Sequence, residues 1–571
     1  MAFTIWLENT RRTFRGARRN RSRSPVRAIR SRRLSWEAFE DRIAPAGLTG
    51  FLDPDPAPGN QFGATVVALS TGNVVITSPD DNAGGTGAGA VYLFNGTTGA
   101  LISTLTGSHA GDHIGSGGVT ALSDGNYVVD SPSWHNGAGA VTWGSGTAGV
   151  RGPVSATNNL VGSTANDQVG NSATAQSGGG VTNGVTALSD GNYVVDSPNW
   201  TNGAAASAGA VTWGSGTAGV SGAVSATNSL VGSTTNDLVG NNPVTALSNG
   251  NYVVSSPNWN NDAGAATWGS GTAGVSGPVN ATNSLVGSAA NDQVGFGGVT
   301  ALSNGNYVVS SPYWNNGAAA SAGAVTWGSG TAGVSGPVSA TNSLVGSTAN
   351  DSVGGGNLGG GVTALSDGNY VVSSPSWNNG AGAATWGSGT AGVSGIISTM
   401  KSAIGSAAQS GLGAVVVDNM NGTFFAPFVT DGGGRVRVGS QATGFPAAPT
   451  PTLPQVLAIA GASSKKGLTS FTVRYNEPLS SSSASGSGLY QVFAAVTKIV
   501  KKHKETLVTK ALAIRSVSPS SGSSTVTINL AKPFKGTVQV MVQGNITAAN
   551  GASNSVRFTQ DLRWRRGYRP S

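Results

Sequence analysis

Five tryptophans in repeated loops are the residues of this chain best suited to contact a ligand. Each follows the sequence Ser-Pro-x and has an asparagine two residues further on, which places a flat ring beside an amide. A ring face can stack on the C–H groups of a sugar while the amide reads its hydroxyls, so the pairs predict a carbohydrate-binding surface. The alternative is that each ring folds back over its own repeat, because tryptophan buries a large area even in loops. The pairs are Trp134 and Asn136, Trp200 and Asn202, Trp259 and Asn261, Trp314 and Asn316, and Trp377 and Asn379.

Residues that could support catalysis are scarce. The chain has no cysteine, and residues 47–444 contain no glutamate, one lysine and three histidines. Thiolate nucleophiles, disulfides and cysteine metal sites are therefore excluded, and no zinc-protease, nucleophile-elbow or phosphate-loop motif is present. We expect no enzymatic activity and no cofactor. A glycan-cleaving enzyme would need two aspartates from different repeats to converge, which no spacing here establishes.

Two segments have residue types that could bind a metal ion. His109 and His113 are four residues apart, as in helical metal sites, but the surrounding glycine-rich stretch lacks a rigid frame. Residues 418–422 keep part of a calcium-loop pattern, with a methionine at a would-be ligand position. We assign no metal site, and calcium binding in the second segment stays an open alternative. Its oxygen donors would be Asp418, Asn419 and Asn421.

A further acid recurs in the sequence Asn-Asp-x-Val-Gly, or a variant of it, shortly before each next repeat. Five equivalent aspartates invite a catalytic or metal-binding interpretation, but a catalytic centre needs one copy. An aspartate in a turn usually accepts hydrogen bonds from backbone N–H groups. We therefore predict a structural role for all five. They are Asp112, Asp167, Asp237, Asp292 and Asp351.

These residues are positioned by an internal repeat. The motif Ala-Leu-Ser-x-Gly-Asn occurs six times, and a degenerate seventh copy starts near Val416. Each unit reads as four short strands, and in most copies Asp-Gly or Asn-Gly joins the first two in a type I′ hairpin turn. The six motifs begin at Ala68, Ala121, Ala187, Ala246, Ala301 and Ala364. The strands predicted for the sixth unit are Val362–Ser366, Asn369–Ser374, Gly382–Trp386 and Gly395–Ile404.

Four antiparallel strands per unit, with no helix between units, predict an all-β chain folded as a seven-bladed β-propeller over residues 47–444. A parallel β-helix would have shorter coils and no tight hairpins. Leu48–Leu52 is predicted to close the last blade as its outer strand. A second set of tryptophans lies in the third strands, two residues after Val or Ala, and is predicted to face a neighbouring blade. These are Trp143, Trp213, Trp268, Trp327 and Trp386.

The first repeat resembles the FG-GAP repeat of integrin-α-type propellers. The resemblance rests on Gln61–Val66, Thr77–Pro79 and Gly89–Phe94, and the later units are similar to bacterial repeats of unknown function. It covers residues 47–440 and implies a propeller with binding loops on the cell surface. The calcium loop that FG-GAP repeats often carry is replaced by a short turn in the second to sixth units, so metal-dependent adhesion is not implied.

Charge divides the chain into three segments. Residues 43–446 carry 17 aspartates and four basic residues, so the repeats would repel phosphate backbones and we expect no nucleic-acid partner. Residues 1–33 contain 11 arginines and one glutamate, which predicts a disordered basic leader over residues 1–46. A nucleic-acid-binding arm is the alternative there. Residues 34–46 resemble the LExLEDRxxPA signature of exported planctomycete proteins, which implies export.

The C-terminal part reads as a separate module. A Pro-rich linker at 445–455 precedes alternating strands that resemble a bacterial Ig-like β-sandwich over 456–560, and a disordered basic tail follows at 561–571. Its strands are predicted at Ser470–Tyr475, Leu489–Ala495, Ser524–Leu530 and Thr537–Val542. The lysine-rich segment 498–504 is either a solvated hairpin flank or a patch that docks on an anionic wall polymer.

These observations predict an exported, extracellular or cell-surface protein with a non-catalytic binding or adhesive function. The expected partners are extracellular polysaccharide or a surface protein, contacted through the propeller loops. No run of 18 apolar residues is present, so no transmembrane segment is expected. Two alternatives remain open: a lyase or hydrolase on a propeller scaffold, and a purely structural envelope component in which the loop tryptophans pack inward.

Overall fold

In the computed structural model of this chain, nearly all regular secondary structure of the described residues is β-strand. Contacts between Cα atoms separate residues 1–52, together with 97–99, from the rest of the chain. Within the described residues, no helix is long and apolar enough to cross a membrane. The structure describes residues 50–172, 182–356, 361–446, 454–476, 479, 487–500, 503–519, 524–543, 546–547, 553–554 and 557–563. The predicted leader at 1–46 and most of the tail lie outside these residues.

Seven consecutive sheets follow the repeats, and within each sheet the strands of one repeat pair antiparallel in chain order. The strands of sheets 1 and 2 are Val66–Ala68, Asn73–Ser78, Ala90–Asn95 and Leu101–Thr106, then Gly118–Ala121, Tyr127–Ser131, Ala140–Gly144 and Leu160–Val161. Those of sheets 3 and 4 are Val185–Ala187, Tyr193–Ser197, Ala210–Gly214 and Ser229–Val231, then Thr245–Ala246, Tyr252–Ser256, Ala265–Gly269 and Ser284–Val286. Those of sheets 5 and 6 are Val299–Ala301, Tyr307–Ser311, Ala324–Gly328 and Ser343–Val345, then Val362–Ala364, Tyr370–Ser374, Ala383–Gly387 and Ser402–Ile404.

Sheet 7, formed by the degenerate repeat, has three strands. They are Val416–Asp418, Thr423–Phe428 and Arg435–Ser440. The predicted closing strand is not formed by Gly50–Leu52, which has neither strand nor helix structure, and Leu48 and Thr49 lie outside the described residues. No strand pairing connects sheet 1 with sheet 7 in the described part of the chain.

The first five sheets each receive a fifth strand from the following repeat. This strand is two residues long and pairs parallel with the fourth strand, as Gly277–Pro278 does with Leu230 and Val231. The predicted fourth strand at Gly395–Ile404 was therefore wrong in part. Gly395 and Ile396 belong to the preceding sheet, and Ser402–Ile404 alone is the fourth strand. The donated strands are Gly152–Pro153, Gly222–Ala223, Gly277–Pro278, Gly336–Pro337 and Gly395–Ile396.

The hydrophobic core lies between consecutive sheets. Side chains alternate along each second strand, so Tyr127 and Val129 pack towards sheet 1 while Val128 packs towards sheet 3. Both faces of an inner sheet are thereby buried, which explains why these strands read Tyr-Val-Val with little polar alternation. Burial raises the pKa of Tyr127 to about 12, so its hydroxyl stays neutral.

A tyrosine and a glycine face each other in the centre of sheets 2 to 6. Tyr252 pairs with Gly269, and a Cβ atom at Gly269 would collide with the tyrosine ring. The residue after each third-strand tryptophan is therefore glycine, because the tyrosine ring of the paired strand occupies the position that a side chain would take. Phe424 and Gly439 repeat the arrangement in sheet 7, which marks the degenerate unit as a true copy.

Residues 456–563 form a second, separate core. Two four-stranded antiparallel sheets share the buried side chains of Phe471, Tyr490, Ile528 and Val540, which makes the module a two-layer β-sandwich. All four predicted strands are present. One sheet contains Val456–Ser464, Gly467–Tyr475, Thr525–Phe534 and Ile514–Pro519, and the other His503–Ala511, Tyr490–Val500, Thr537–Val542 and Phe558–Arg563. Two small hairpins pair Asn171–Ser172 with Thr182–Asn183 and Ile546–Thr547 with Ser553–Asn554.

The paired tyrosine and glycine predict a strong non-additive effect. Gly269→Ala forces a methyl group against the Tyr252 ring and is expected to cost about 1–3 kcal/mol of unfolding free energy. In a Tyr252→Ala background the same change should cost much less, because the collision is gone. Thermal unfolding of the four proteins in this cycle measures the coupling.

Gly488→Ala is the control, since nothing lies within 4 Å of a Cβ there. Equal costs of Gly269→Ala in both backgrounds would contradict the assignment.

Candidate functional site

The loop tryptophans fold back onto the sheets. Trp134, Trp200 and Trp314 are 9%, 4% and 4% exposed, and Trp259 and Trp377 are half-buried. All five belong to the clusters between consecutive sheets or pack against them. A sugar needs an open ring face, so the predicted sugar platforms at the three buried tryptophans are corrected: these rings seal the boundary with the preceding sheet.

The partner asparagines fall into two groups that follow loop length. In the longer loops, Asn202 Nδ2 donates to the Gly232 carbonyl and Asn316 Nδ2 to the Gly346 carbonyl, both at 2.8 Å. These two amides are occupied by the backbone rather than aimed outward. In the shorter loops the amides are exposed, and their residues have a positive φ, which asparagine tolerates better than most side chains. These are Asn136 at 57°, Asn261 at 56° and Asn379 at 55°.

The shorter loops are four-residue turns with a left-handed interior. They cover Trp134–Gly137, Trp259–Asp262 and Trp377–Gly380, and the two residues after each tryptophan have left-handed backbone angles. Asparagine and glycine are the residues that adopt this conformation at least cost. The Asn-rich composition of these loops is therefore explained by their backbone.

The third-strand tryptophans join each repeat to the next. Trp213 Nε1 donates to the Gly271 carbonyl at 2.6 Å, and Gly274 lies directly against the same ring. The corresponding bonds run from Trp143, Trp268, Trp327 and Trp386. Their predicted position at a boundary between repeats is confirmed, and each is anchored in the Ser-Gly-Thr-Ala-Gly turn of its successor or the equivalent turn.

An asparagine ladder runs beside these tryptophans. Asn192 Oδ1 accepts from the Gly216 N–H at 2.9 Å, and its Nδ2 donates to the Gly271 carbonyl of the next repeat at 2.9 Å. Gly271 N–H then bonds to Asn251, and the series continues to sheet 7. This asparagine is the last residue of the Ala-Leu-Ser-x-Gly-Asn motif. The motif is thus retained for cross-repeat bonding as well as for the hairpin turn.

The five recurring aspartates make a second set of links. Asp237 Oδ2 accepts from the N–H groups of Ser233 and Thr234 at 2.8 Å each, and Oδ1 accepts from the Asn260 N–H of the next repeat at 2.9 Å. The other four make the same pattern of bonds. All five are buried. The predicted turn-capping role is confirmed, and the structure adds the bond to the residue after each loop tryptophan.

Two buried acids were not recognised from the sequence. Asp130 and Asp196 are 0% and 2% exposed. Desolvation raises the pKa of both well above the usual range. Ser255 and Ser310 occupy this position in sheets 4 and 5, where Ser255 Oγ donates to the Gly295 carbonyl at 2.9 Å. A comparison of the repeats at this one position would have revealed the substitution.

The two candidate metal segments are held by other bonds. His113 Nδ1 lies 2.9 Å from Asp80 Oδ1, whereas His109 Nδ1 bonds to its neighbour Ser108, so the two imidazoles do not converge. No group of three or more His, Cys, Asp or Glu side chains in the described residues is placed to hold a metal ion.

The loop at 418–422 is a tight turn around one carboxylate. Asp418 accepts hydrogen bonds from the N–H groups of Met420 and Asn421 and from the Asn421 side chain at 2.7 Å. These bonds, the Asn421 amide first, lower the pKa of Asp418. The Asn419 side chain takes no part in this turn around the Asp418 carboxylate. Its side-chain oxygen accepts a hydrogen bond from Gln441 Nε2.

The C-terminal basic segment lies at the end of a β-hairpin. Val500 and His503 pair at the end of a hairpin, and Lys498 and Lys504 lie on its two strands. Lys501 and Lys502 lie outside the described residues.

The buried acids predict how stability depends on pH. When folding raises the pKa of a carboxyl group, the group's contribution to the stability of the folded state is complete below about pH 3.9, the pKa of aspartate in the unfolded chain. This contribution is lost as the pH rises. Asp130→Ser with Asp196→Ser should therefore raise the free energy of unfolding at pH 7 by about 1–3 kcal/mol and add little at pH 4. Thermal unfolding between pH 4 and pH 8 measures both effects.

The control is Asp190→Asn, an exposed turn position where the next repeat already has Asn249. A double serine variant with the same pH slope as the parent chain would show that these acids do not titrate as described.

Comparison with known proteins identifies the repeat. No curated protein matches the chain. Among solved structures, domains 1–6 of the surface-layer protein SbsC align with 21% of this chain at 18% identity and a TM-score of 0.16, and this chain spans 14% of that structure. BamB from Moraxella catarrhalis aligns at 12% identity (66% of this chain, 83% of that one, TM-score 0.22). Puromycin hydrolase aligns at 10% identity (75% and 61%, TM-score 0.25).

These TM-scores are too low to support an argument about the fold. A family model for a repeat of unknown function, DUF5650, matches more than half of the chain in six successive copies. The matched residues are 68–116, 121–171, 187–241, 246–296, 301–355 and 364–414. The chain is therefore a member of the DUF5650 repeat family.

Proposed function

We propose that this chain is an exported, non-catalytic protein of the bacterial cell envelope whose repeats form a seven-bladed propeller that acts as a rigid scaffold. The observation that carries the proposal is the use of the recurring polar and aromatic side chains. The third-strand tryptophans, the motif asparagines and the turn aspartates all bond to the next repeat. Side chains used in this way stabilise the array rather than contact a ligand.

Burial of the loop tryptophans favours a structural role over a lectin-like surface made of repeated platforms. Trp200 and Trp314 leave 4% of their surface exposed, which is too little to stack on a sugar ring. Contact with extracellular polysaccharide or a surface protein would then occur at individual places where the repeats differ. The FG-GAP-like first repeat and the export signature support the surface location.

The geometry gives little support to an enzyme. Asp130 and Asp196 have the raised pKa that is often found at catalytic sites. Both are shielded from solvent, however, and no substrate could reach them without unfolding of the sheet. The turn aspartates are equally buried, and their carboxylates are already occupied. Asp237, for example, accepts hydrogen bonds from three backbone N–H groups.

The propeller geometry is supported by the way neighbouring sheets meet. The first strands of consecutive sheets contact one another from sheet 1 to sheet 6, as Val299–Ala301 does with Thr245–Ala246. The C-terminal sandwich would be an Ig-like module, and its lysine-rich hairpin could then dock on an anionic wall polymer. Attraction of that kind is long-ranged and screened by salt.

The absence of cysteine allows a direct test of the surface location. Ser123→Cys, at an exposed hairpin turn, should react with a membrane-impermeant maleimide on intact cells that carry the protein. Ser131→Cys, at a position with 0% exposure, should react only after denaturation. Labelling of Ser123→Cys only after cell lysis would contradict the proposal, and the parent chain shows the background.

A further inference from the structure

The repeat pattern is broken at one boundary by two aromatic residues. Phe296 and Tyr313 are 49% and 42% exposed, and they are the exposed aromatic side chains of the described residues. The positions that correspond to Phe296 in other repeats hold Ser116, Asn171, Asn241 and Gly355. Those that correspond to Tyr313 hold Ser133, Asn199, Asn258 and Ser376. Aromatic rings are therefore not required by the fold at either position.

The two rings pack against each other and line a pocket. Their centroids are 4.9 Å apart with an interplanar angle of 66°, an edge-to-face contact that fixes both orientations. The pocket measures about 390 Å³, and its lining also includes Ser352 and Gly355, at the end of the fifth repeat, and Ser376 in the sixth. This volume falls within the range of about 300–1,000 Å³ that is usual for small-molecule sites.

Neighbouring boundaries show how the pocket arises. At the preceding boundary, Asn241 Nδ2 donates to Asn258 Oδ1 at 3.1 Å, so two amides close the same position with a polar contact. On one side of the pocket, the rings of Phe296 and Tyr313 take the positions that these two amides occupy at the preceding boundary. On the other side, Gly355 stands where Phe296 stands one repeat earlier, so the described lining has no third ring at that position.

The lining selects one class of ligand. The described residues that line the pocket are all uncharged. An ionic ligand would therefore lose its hydration there without gaining a compensating charge. The pocket combines two aromatic rings and Pro312 with the hydroxyls of Tyr313, Ser352 and Ser376. A ligand that matches this surface has an apolar C–H face and a hydroxyl-bearing edge, which is the character of a neutral sugar ring.

We propose that Phe296 and Tyr313, with Ser352 and Ser376, form a single binding site for a neutral saccharide at the boundary between sheets 5 and 6. A Pro-rich peptide also docks on aromatic surfaces, but such grooves present a row of rings along an extended chain. Here two rings meet at one pocket. The site goes beyond the scaffold function, because it depends on two residues that the array does not need.

The test is isothermal titration calorimetry of the full chain with cellohexaose, maltohexaose, mannohexaose and xylohexaose, and with decaproline. At least one hexaose should bind, and Phe296→Asn with Tyr313→Asn should weaken that binding at least tenfold. This double variant installs the amide pair that the preceding boundary already contains, so the fold should be kept. An unchanged thermal unfolding midpoint verifies that.

Asn241→Ser with Asn258→Ser is the matched control, since it changes the same two positions one boundary earlier and should leave binding intact. The proposal is overturned if no hexaose binds, if binding survives the asparagine pair, or if decaproline is the ligand lost in that variant. Saccharide binding by a chain that fails the surface-labelling test would disprove the envelope location alone. Surface labelling without saccharide binding would disprove the site alone.

Discussion

The structure depends on one constraint: each of the first five sheets is completed by a strand of the following repeat. A sheet of four short strands leaves its outer edge unpaired, and exposed edges favour association with other chains. Here the next repeat covers that edge with a two-residue parallel strand, and it accepts the tryptophan N–H and the asparagine amide of its predecessor. Local pairing and inter-repeat bonding are thus coupled, as in other arrays whose stability comes from nearest-neighbour interfaces.

This coupling explains the composition of the chain. Glycine is abundant partly because a neighbouring ring fills the space that a side chain would need: the Tyr252 ring at Gly269, and the Trp213 side chain of the preceding repeat at Gly274. Charged residues are scarce because most recurring polar groups are buried between repeats, where amides and hydroxyls cost less to desolvate than ions. The buried aspartates are the exceptions. The five turn aspartates accept hydrogen bonds from backbone N–H groups, as Asp237 does, whereas Asp130 and Asp196 have serine in the equivalent positions of later sheets.

The sequence predicts the local elements well because they follow from short-range chemistry. Hairpins at Asp-Gly and Asn-Gly, period-two strands and the capping aspartates each depend on a few adjacent residues. The predicted type I′ turn was wrong, however, because it requires a positive φ at both central residues and only the glycine has one, as at Gly125 with 89°. The donated Gly-Pro strand could not be predicted, because two residues carry no periodicity and their partner lies in another repeat. The direction of the loop tryptophans was equally undetermined, since the same Ser-Pro-x-Trp sequence fits an exposed platform or a buried plug. The repeat pattern does not predict Phe296 and Tyr313, because each occurs in one repeat only.

Hydrogen exchange of a Trp268→Ala variant, followed by mass spectrometry, tests the central claim most directly. Trp268 lies in sheet 4, while its Nε1 donates to the Gly330 carbonyl at 3.0 Å and its ring lies against Gly333, both in the following repeat. If sheet 4 is completed by its successor, exchange should accelerate in the turn at residues 329–333 and at the Val338 amide, which follows the donated strand and donates to the Val286 carbonyl, as well as in sheet 4. Acceleration confined to residues 245–286 would show that each repeat is stable by itself and would contradict the account.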